Sequence, residues 1–244
     1  YAFDKAQLDW VSRDLALIPE GIPVAVCAHV PLVRDGKPEI EGAEEFISLL
    51  EGHPVDFYAG HFHTTRNEDA APGVRQHLLA SGSAVSWKLN DLQAPIVCDD
   101  GTPGGWQILT VSGGAICGQD FQSCYRPVEE SQFVVYDLGG GEFVINVFNW
   151  SKDWKVEAFC GGSPVALEQR TMYDPTYVRI RKETKMLLKR PTAFLPEKAP
   201  HFFAGHADGP IELRLTDPFG KVYKASSDQC AFPRWDGVPS TIDR

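Results

Sequence analysis

Apolar positions in the first 90 residues follow two alternating periods. Leu8, Val11, Leu15 and Ile18 recur at helical spacing behind Asp4 and Gln7, a capping-box pattern. Pro19, Gly21 and Pro23 punctuate the end of that helix. Val24-Ala25-Val26-Cys27-Ala28 is a short unbroken apolar run, expected to be a strand buried on both faces. Ala43, Phe46, Ile47 and Leu50 predict a second helix, with Gly52 just beyond its end. Val55-Asp56-Phe57-Tyr58-Ala59 reads as the next strand. Strand, helix and strand within about 35 residues predict a βαβ crossover, hence parallel strands and an α/β arrangement.

The pattern then changes. After the Gly/Pro/Asp-rich passage Asp99 to Gly105, short β runs dominate at Trp106–Val111, Phe133–Tyr136, Phe143–Phe148 and Val156–Phe159. Ile211–Leu215 and Lys221–Ala225 bracket Asp217-Pro218-Phe219-Gly220, a strong turn sequence. The expectation is an α+β or α/β layer of sheet with helices over residues 1–90, followed by a β-sandwich-like domain over 91–244.

Composition narrows the classes. The chain has 244 residues, a formal charge of −10 without an acidic tail, and 43% hydrophobic positions. It can bury a real core, but it has no basic face for nucleic acid or anionic membranes. A phosphate group is not excluded, because a metal can supply positive charge locally. The most apolar run, Ile22 to Val33, is shorter than a bilayer span and contains His29 and Pro31, so no membrane insertion is expected. Six cysteines are scattered without a C-x-x-C pair, and Cys117 and Cys124 are placed to face each other across a hairpin; disulfides and free thiols both remain open. The first methionine is Met172, so the sequence is expected to be a processed product or a fragment.

The candidate chemistry lies at the two strand ends. The first strand leads directly into His29, followed by Val30-Pro31, and the second into Gly60-His61-Phe62-His63. If these strands are parallel, all three histidines emerge beyond the carboxyl ends of the sheet, where open α/β sheets bind ligands. Imidazoles gathered there suit zinc, iron, manganese or nickel. Gly60 is expected to supply the sharp turn that frees His61 and His63 from pointing to opposite faces. The other candidates read as structure: His53 as a helix-end or loop residue, His77 as packing in a strand, His206 without a role, and Asp99-Asp100-Gly101 as a turn rather than a calcium loop. Asn149, Trp150 and Trp154 read as core or interdomain packing rather than a sugar platform. The basic run Arg179 to Arg190 reads as a solvated face.

The two histidine segments resemble the second half of a calcineurin-like metallophosphoesterase domain, in which one strand ends in His-x-Pro and the next in Gly-His-x-His. Lys5 to Val11 resembles the helix ahead of them. Ala80-Ser81-Gly82-Ser83, Asp100 to Trp106, Asn146 to Asn149 and Leu213 to Gly220 resemble a subgroup with a dedicated C-terminal domain. The resemblance implies a two-metal centre of zinc, iron or manganese, with His29 and His61 on one ion and His63 on the other. It implies attack of a metal-held hydroxide on the phosphorus of a phosphate-ester substrate. The family's Asp-x-His, Gly-Asp and Gly-Asn-His motifs, with the histidine that protonates the leaving group, do not occur here and are expected upstream, so no catalytic residue is assigned and the isolated chain is expected to be inactive. The competing readings are a binding module whose β-domain recognises an envelope or carbohydrate ligand, and a pseudoenzyme. Compartment stays open, the β-rich appendage favouring the cell envelope or exterior. Oligomeric state is unassigned.

Overall fold

The structure, a computed structural model, describes residues 1–84, 97–124, 127–188 and 195–227. The boundary expected near residue 90 lies outside these residues. α1 (Lys5–Leu15) begins at the expected capping box: the Gln7 amide donates to Asp4 Oδ1 at 2.8 Å and the Asp4 amide to Gln7 Oε1 at 3.0 Å. Leu8, Val11 and Leu15 turn one face of the helix to the core. β1 (Val24–Cys27) follows, then a two-rung ribbon of β2 (Val33–Arg34) and β3 (Lys37–Pro38), α2 (Ala43–Leu49), β4 (Val55–Ala59), β5 (Arg66–Ala71) and β6 (Val74–Leu78). The sheet order is β1-β4-β6-β5, with β1, β4 and β6 mutually parallel and β5 antiparallel at one edge.

β4 is the strand buried nearly throughout, with Phe57 fully enclosed against Phe46 of α2. β1 corrects the expectation of burial on both faces. It lies at the sheet edge and alternates, Val24 and Val26 half-buried and Ala25 and Cys27 exposed. With one neighbouring strand and one covered face, an unbroken apolar run does not by itself secure full burial.

The remainder is almost all strand. β7 (Gly105–Ser112) and β8 (Ala115–Ser123) form a long hairpin. Cys117 lies on β8 and Cys124 directly after it, so the two do not face each other across the hairpin, and the five described cysteines are free. β9 (Phe133–Gly139), β10 (Glu142–Val147), β11 (Lys155–Cys160), β12 (Ser163–Val165), β13 (Glu168–Tyr173), α3 (Pro175–Leu188), β14 (Lys198–His206), β15 (Ile211–Thr216) and β16 (Val222–Ser226) complete the described chain. They build two antiparallel four-stranded sheets, β13-β14-β10-β9 and β12-β11-β15-β16. Val135, Ile145 and Val147 from the first and Ala158, Leu213, Leu215 and Tyr223 from the second enclose one core. Trp154 is buried there, stacked on Tyr223, which fits packing rather than a sugar platform. α3 carries the basic run as far as it is described, with Ile180 fully buried beside Tyr177 and Val97.

A buried polar knot joins these parts. Asp174 accepts from Tyr136 Oη at 2.6 Å, from the Tyr177 amide at 2.8 Å and from Asn146 Nδ2 at 3.2 Å, which starts α3 with a capping carboxylate. Asn146 Nδ2 also donates to the Asp100 carbonyl at 3.0 Å, and His201 Nδ1 donates to Asn146 Oδ1 at 2.7 Å. Gly101 sits at φ +84°, and a Cβ there would stand 2.1 Å from the Asp174 carboxyl carbon, so both its conformation and its missing side chain are required. Asp99 is the exception. It is 6% exposed, and its Oδ1 finds no hydrogen-bond partner. Burial, then the charges of Asp100 and Glu197, push its carboxyl up to about 8.

Two predictions follow from the knot. Gly101→Ala combines left-handed strain with a steric clash and should cost about 2–4 kcal/mol. Gly220→Ala, at φ +87° with open space around it, should cost about 1 kcal/mol. Equal losses in chemical denaturation would show that the Asp174 contact is not what demands glycine at position 101. For Asp99 the folded carboxyl holds its proton more tightly than the unfolded one. Its contribution is therefore fully present below the unfolded value near 3.8 and is lost as pH rises to about 8. Asp99→Asn should accordingly leave stability near pH 4 almost unchanged and raise it at pH 9 by about 1–3 kcal/mol; the same stability increment at both pH values would contradict the assignment.

Candidate metal centre

The β1–β4 ladder runs out at the histidines. Ala28 donates to the Tyr58 carbonyl at 3.0 Å, and Gly60 to the His29 carbonyl at 3.1 Å, so both chains leave the sheet side by side. The next side chains meet: His61 Nδ1 lies 3.3 Å from His29 Nε2, and the rings stand edge to face with centroids 5.2 Å apart. The local backbone corrects one expectation. Gly60 is not left-handed; His61, at φ 78°, and His63, at φ 57°, are. Phe62 donates to the Gly60 carbonyl at 3.0 Å, closing a three-residue turn around His61. Such positive-φ γ-turns are strained.

Burial first, then the neighbouring His29 and His63 rings, lower the pKa of His61, while the Glu39 carboxylate opposes them. The result favours the neutral imidazole that a metal requires.

Both histidine segments are gripped from behind. Gln76 of β6, with none of its surface exposed, accepts from the Leu32 and Val33 amides at 2.7 and 3.2 Å and donates to the Val33 carbonyl at 2.8 Å. It substitutes for a strand partner just after His29. On the other side, the Thr65 amide donates to Asp100 Oδ2 at 2.6 Å, and Thr65 Oγ1 lies 3.3 Å from Thr102 Oγ1. Arg34 stacks over the Phe62 ring at 4.1 Å and pairs with Glu197. Phe62 in turn packs edge-on to His61, centroids 4.9 Å apart. The cation therefore sits one ring away from the histidines.

The donor chemistry fits part of a metal site. Two imidazole nitrogens at about 2.0–2.1 Å from a tetrahedral ion stand about 3.3–3.4 Å apart, and the His29–His61 spacing is 3.3 Å. Among the described residues, however, no group of three or more His, Cys, Asp or Glu side chains is arranged to hold an ion.

The other histidines have local partners away from this site. His53 Nδ1 meets the Ile22 carbonyl at 2.9 Å, just past the end of α2. His77 lies between Asn67 Oδ1 at 2.6 Å and Asp56 Oδ1 at 2.9 Å, stacked on Tyr58. His206 is exposed beside Asp208. Gln76, Asp100, Arg34 and Glu39 escaped sequence reasoning, because each acts through a partner far along the chain. For Asp100 the sequence signals a turn and, with the stretch to Trp106, a resemblance to the family subgroup, but not its contact with Thr65.

The rings give a direct test. In NMR titration the His61 midpoint should fall below the usual imidazole value near 6.5, and His29→Ala should move it upward without fully restoring it, since burial is the larger cause. An unchanged midpoint in His29→Ala would show that the two rings are not coupled.

Against this geometry, residues 80–223 match the family model described as the C terminal of calcineurin-like phosphoesterase. No curated protein and no solved structure matches the chain. The matched region holds the β7–β8 hairpin and most of the two antiparallel sheets, together with Asp100, Asn146, Asp174 and His201. The chain belongs to the calcineurin-like phosphoesterases, whose C-terminal domain it carries.

Proposed function

We propose that the protein is a metal-dependent phosphoester hydrolase, of which this chain supplies three histidine ligands and the C-terminal domain. The observation that carries the reading is the convergence of His29 and His61 at adjacent parallel strand ends, in a turn strained at His61 and His63. His29 and His61 would hold one ion and His63 a second; zinc, iron and manganese all suit the imidazole donors. Divalent ions there supply Lewis acidity and lower the pKa of bound water. The chain's own residues do the rest of what is visible. Burial and the neighbouring rings bias His61 towards the neutral form that coordination needs, and Gln76 and Asp100 hold the two segments.

The remaining ligands and the leaving-group acid belong, on this reading, to another part of the protein. β1 supports that view, being an edge strand with exposed Ala25 and Cys27, and Trp10 of α1 and Leu17 just beyond it are also exposed. Such a surface accepts a further strand or layer. A second reading is a binding protein or pseudoenzyme that has kept its histidines without holding two ions.

Metal analysis of the complete protein separates them. Two divalent ions per chain are expected in the wild type, with loss of bound ion in His29→Ala, His61→Ala and His63→Ala. Hydrolysis of an aryl phosphate ester should fall on the order of a hundredfold or more in each. Unchanged metal content in the His29 and His63 variants would remove the ligand assignment, and a metal-free wild type would favour the binding reading.

A further inference from the structure

Asp100 belongs to the C-terminal domain, yet its carboxylate is spent on the histidine segment. None of its surface is exposed. Oδ2 accepts the Thr65 amide at 2.6 Å and Oδ1 the Thr102 amide at 2.9 Å, while its carbonyl accepts Asn146 Nδ2 at 3.0 Å. His201 Nε2 stands 3.3 Å from Oδ2 without the alignment of a hydrogen bond. A buried carboxylate held by one amide of its own loop and one of the histidine segment has little freedom to move.

Its partner Thr65 is two residues beyond His63 and begins the run into β5. The segment between Gly60 and Arg66 has two left-handed histidines and one internal three-residue turn. Strain of that kind persists only when surrounding structure over-determines it. The ladder rung from Gly60 to His29 fixes one end of the segment, and Asp100 fixes the other.

We propose that Asp100 is a positioning residue for the metal-ligand segment, and that the C-terminal domain serves through it to hold His61 and His63 in ligating conformation. This rests on the hydrolase reading for its purpose, but not for its geometry. The Asp100 carboxylate holds the Thr65 backbone; Asn146, itself bonded to Asp174 and His201, holds the Asp100 carbonyl. The domain thereby preorganises ligands that lie outside it, in the way outer-shell partners tune a metal site.

The test is hydrogen exchange of the complete protein, metal-free, comparing the wild type with Asp100→Asn and Tyr136→Phe. Tyr136 belongs to the same knot through its bond to Asp174, but touches neither Asp100 nor the histidine segment by any hydrogen bond of its own to them. Well below the melting temperature, amides 61–66 should exchange at least about tenfold faster in Asp100→Asn and at the wild-type rate in Tyr136→Phe. The apparent dissociation constant for Mn²⁺ should rise about tenfold or more in Asp100→Asn alone. If both variants speed the segment, or neither does, Asp100 is a structural residue only and the proposal is overturned. Should Asp100→Asn fail to fold, the wild-type protein decides: a slowly exchanging Thr65 amide supports the anchor, and one exchanging like a free loop amide overturns it. A wild type that binds no Mn²⁺ would defeat the hydrolase reading, while the exchange rates would still decide whether Asp100 holds the segment.

Discussion

A carboxylate shut away from water must receive from the protein the donors that water would have provided, or abandon its charge. Asp100 is provided for by amides on two segments, and Asn146 binds its carbonyl. Satisfying that one residue brings together the histidine segment, the turn ahead of β7 and the end of β10, where Asn146 also meets His201 of β14. Asp99, its immediate neighbour, shows the alternative, with an unpartnered oxygen and a carboxyl that holds its proton to about pH 8. The neighbouring pair thus separates into one carboxylate that organises the fold and one that is tolerated by it.

Among the described residues the two largest apolar cores are separate, and polar contacts run between them. Asn67 of β5 donates to the carbonyls of Asn149 and Trp150 at 3.2 and 2.8 Å, Arg75 of β6 pairs with Asp153 at 3.2 Å, and Lys152 pairs with Asp69. Apolar packing builds each part, and directional bonds set how the parts meet. Directional bonds suit a junction that must fix a few backbone positions, because their strength falls steeply with misalignment.

Features governed by neighbours in sequence were legible in it. The capping box of α1, the helix Ala43–Leu49, the β15–β16 hairpin around Asp217 to Gly220, and most of the C-terminal strands follow from local patterning. The histidines were legible too, since a strand ending in His-x-Pro and another in Gly-His-x-His are local signals. What stayed hidden depends on distant partners. The exposure of β1 depends on its being an edge, and the place of Cys117 and Cys124 on one side of the hairpin depends on where the turn falls. Gln76 reaches 43 and 44 positions back to Val33 and Leu32, and Asp100 reaches 35 back to Thr65. No periodicity reports such pairs. The strain at His61 and His63 was assigned to Gly60, because glycine is the ordinary bearer of positive φ and nothing in the sequence shows when another residue is forced to take it.

The convergence of histidines at the parallel strand ends can be read directly from crystals of the complete protein grown with manganese, using anomalous scattering at the metal edge. The expected result is a peak bonded to His29 Nε2 and His61 Nδ1, with a second peak bonded to His63. Crystals showing His29 and His61 joined only by their mutual hydrogen bond, with no anomalous peak beside either ring, would contradict a metal centre at this edge of the sheet.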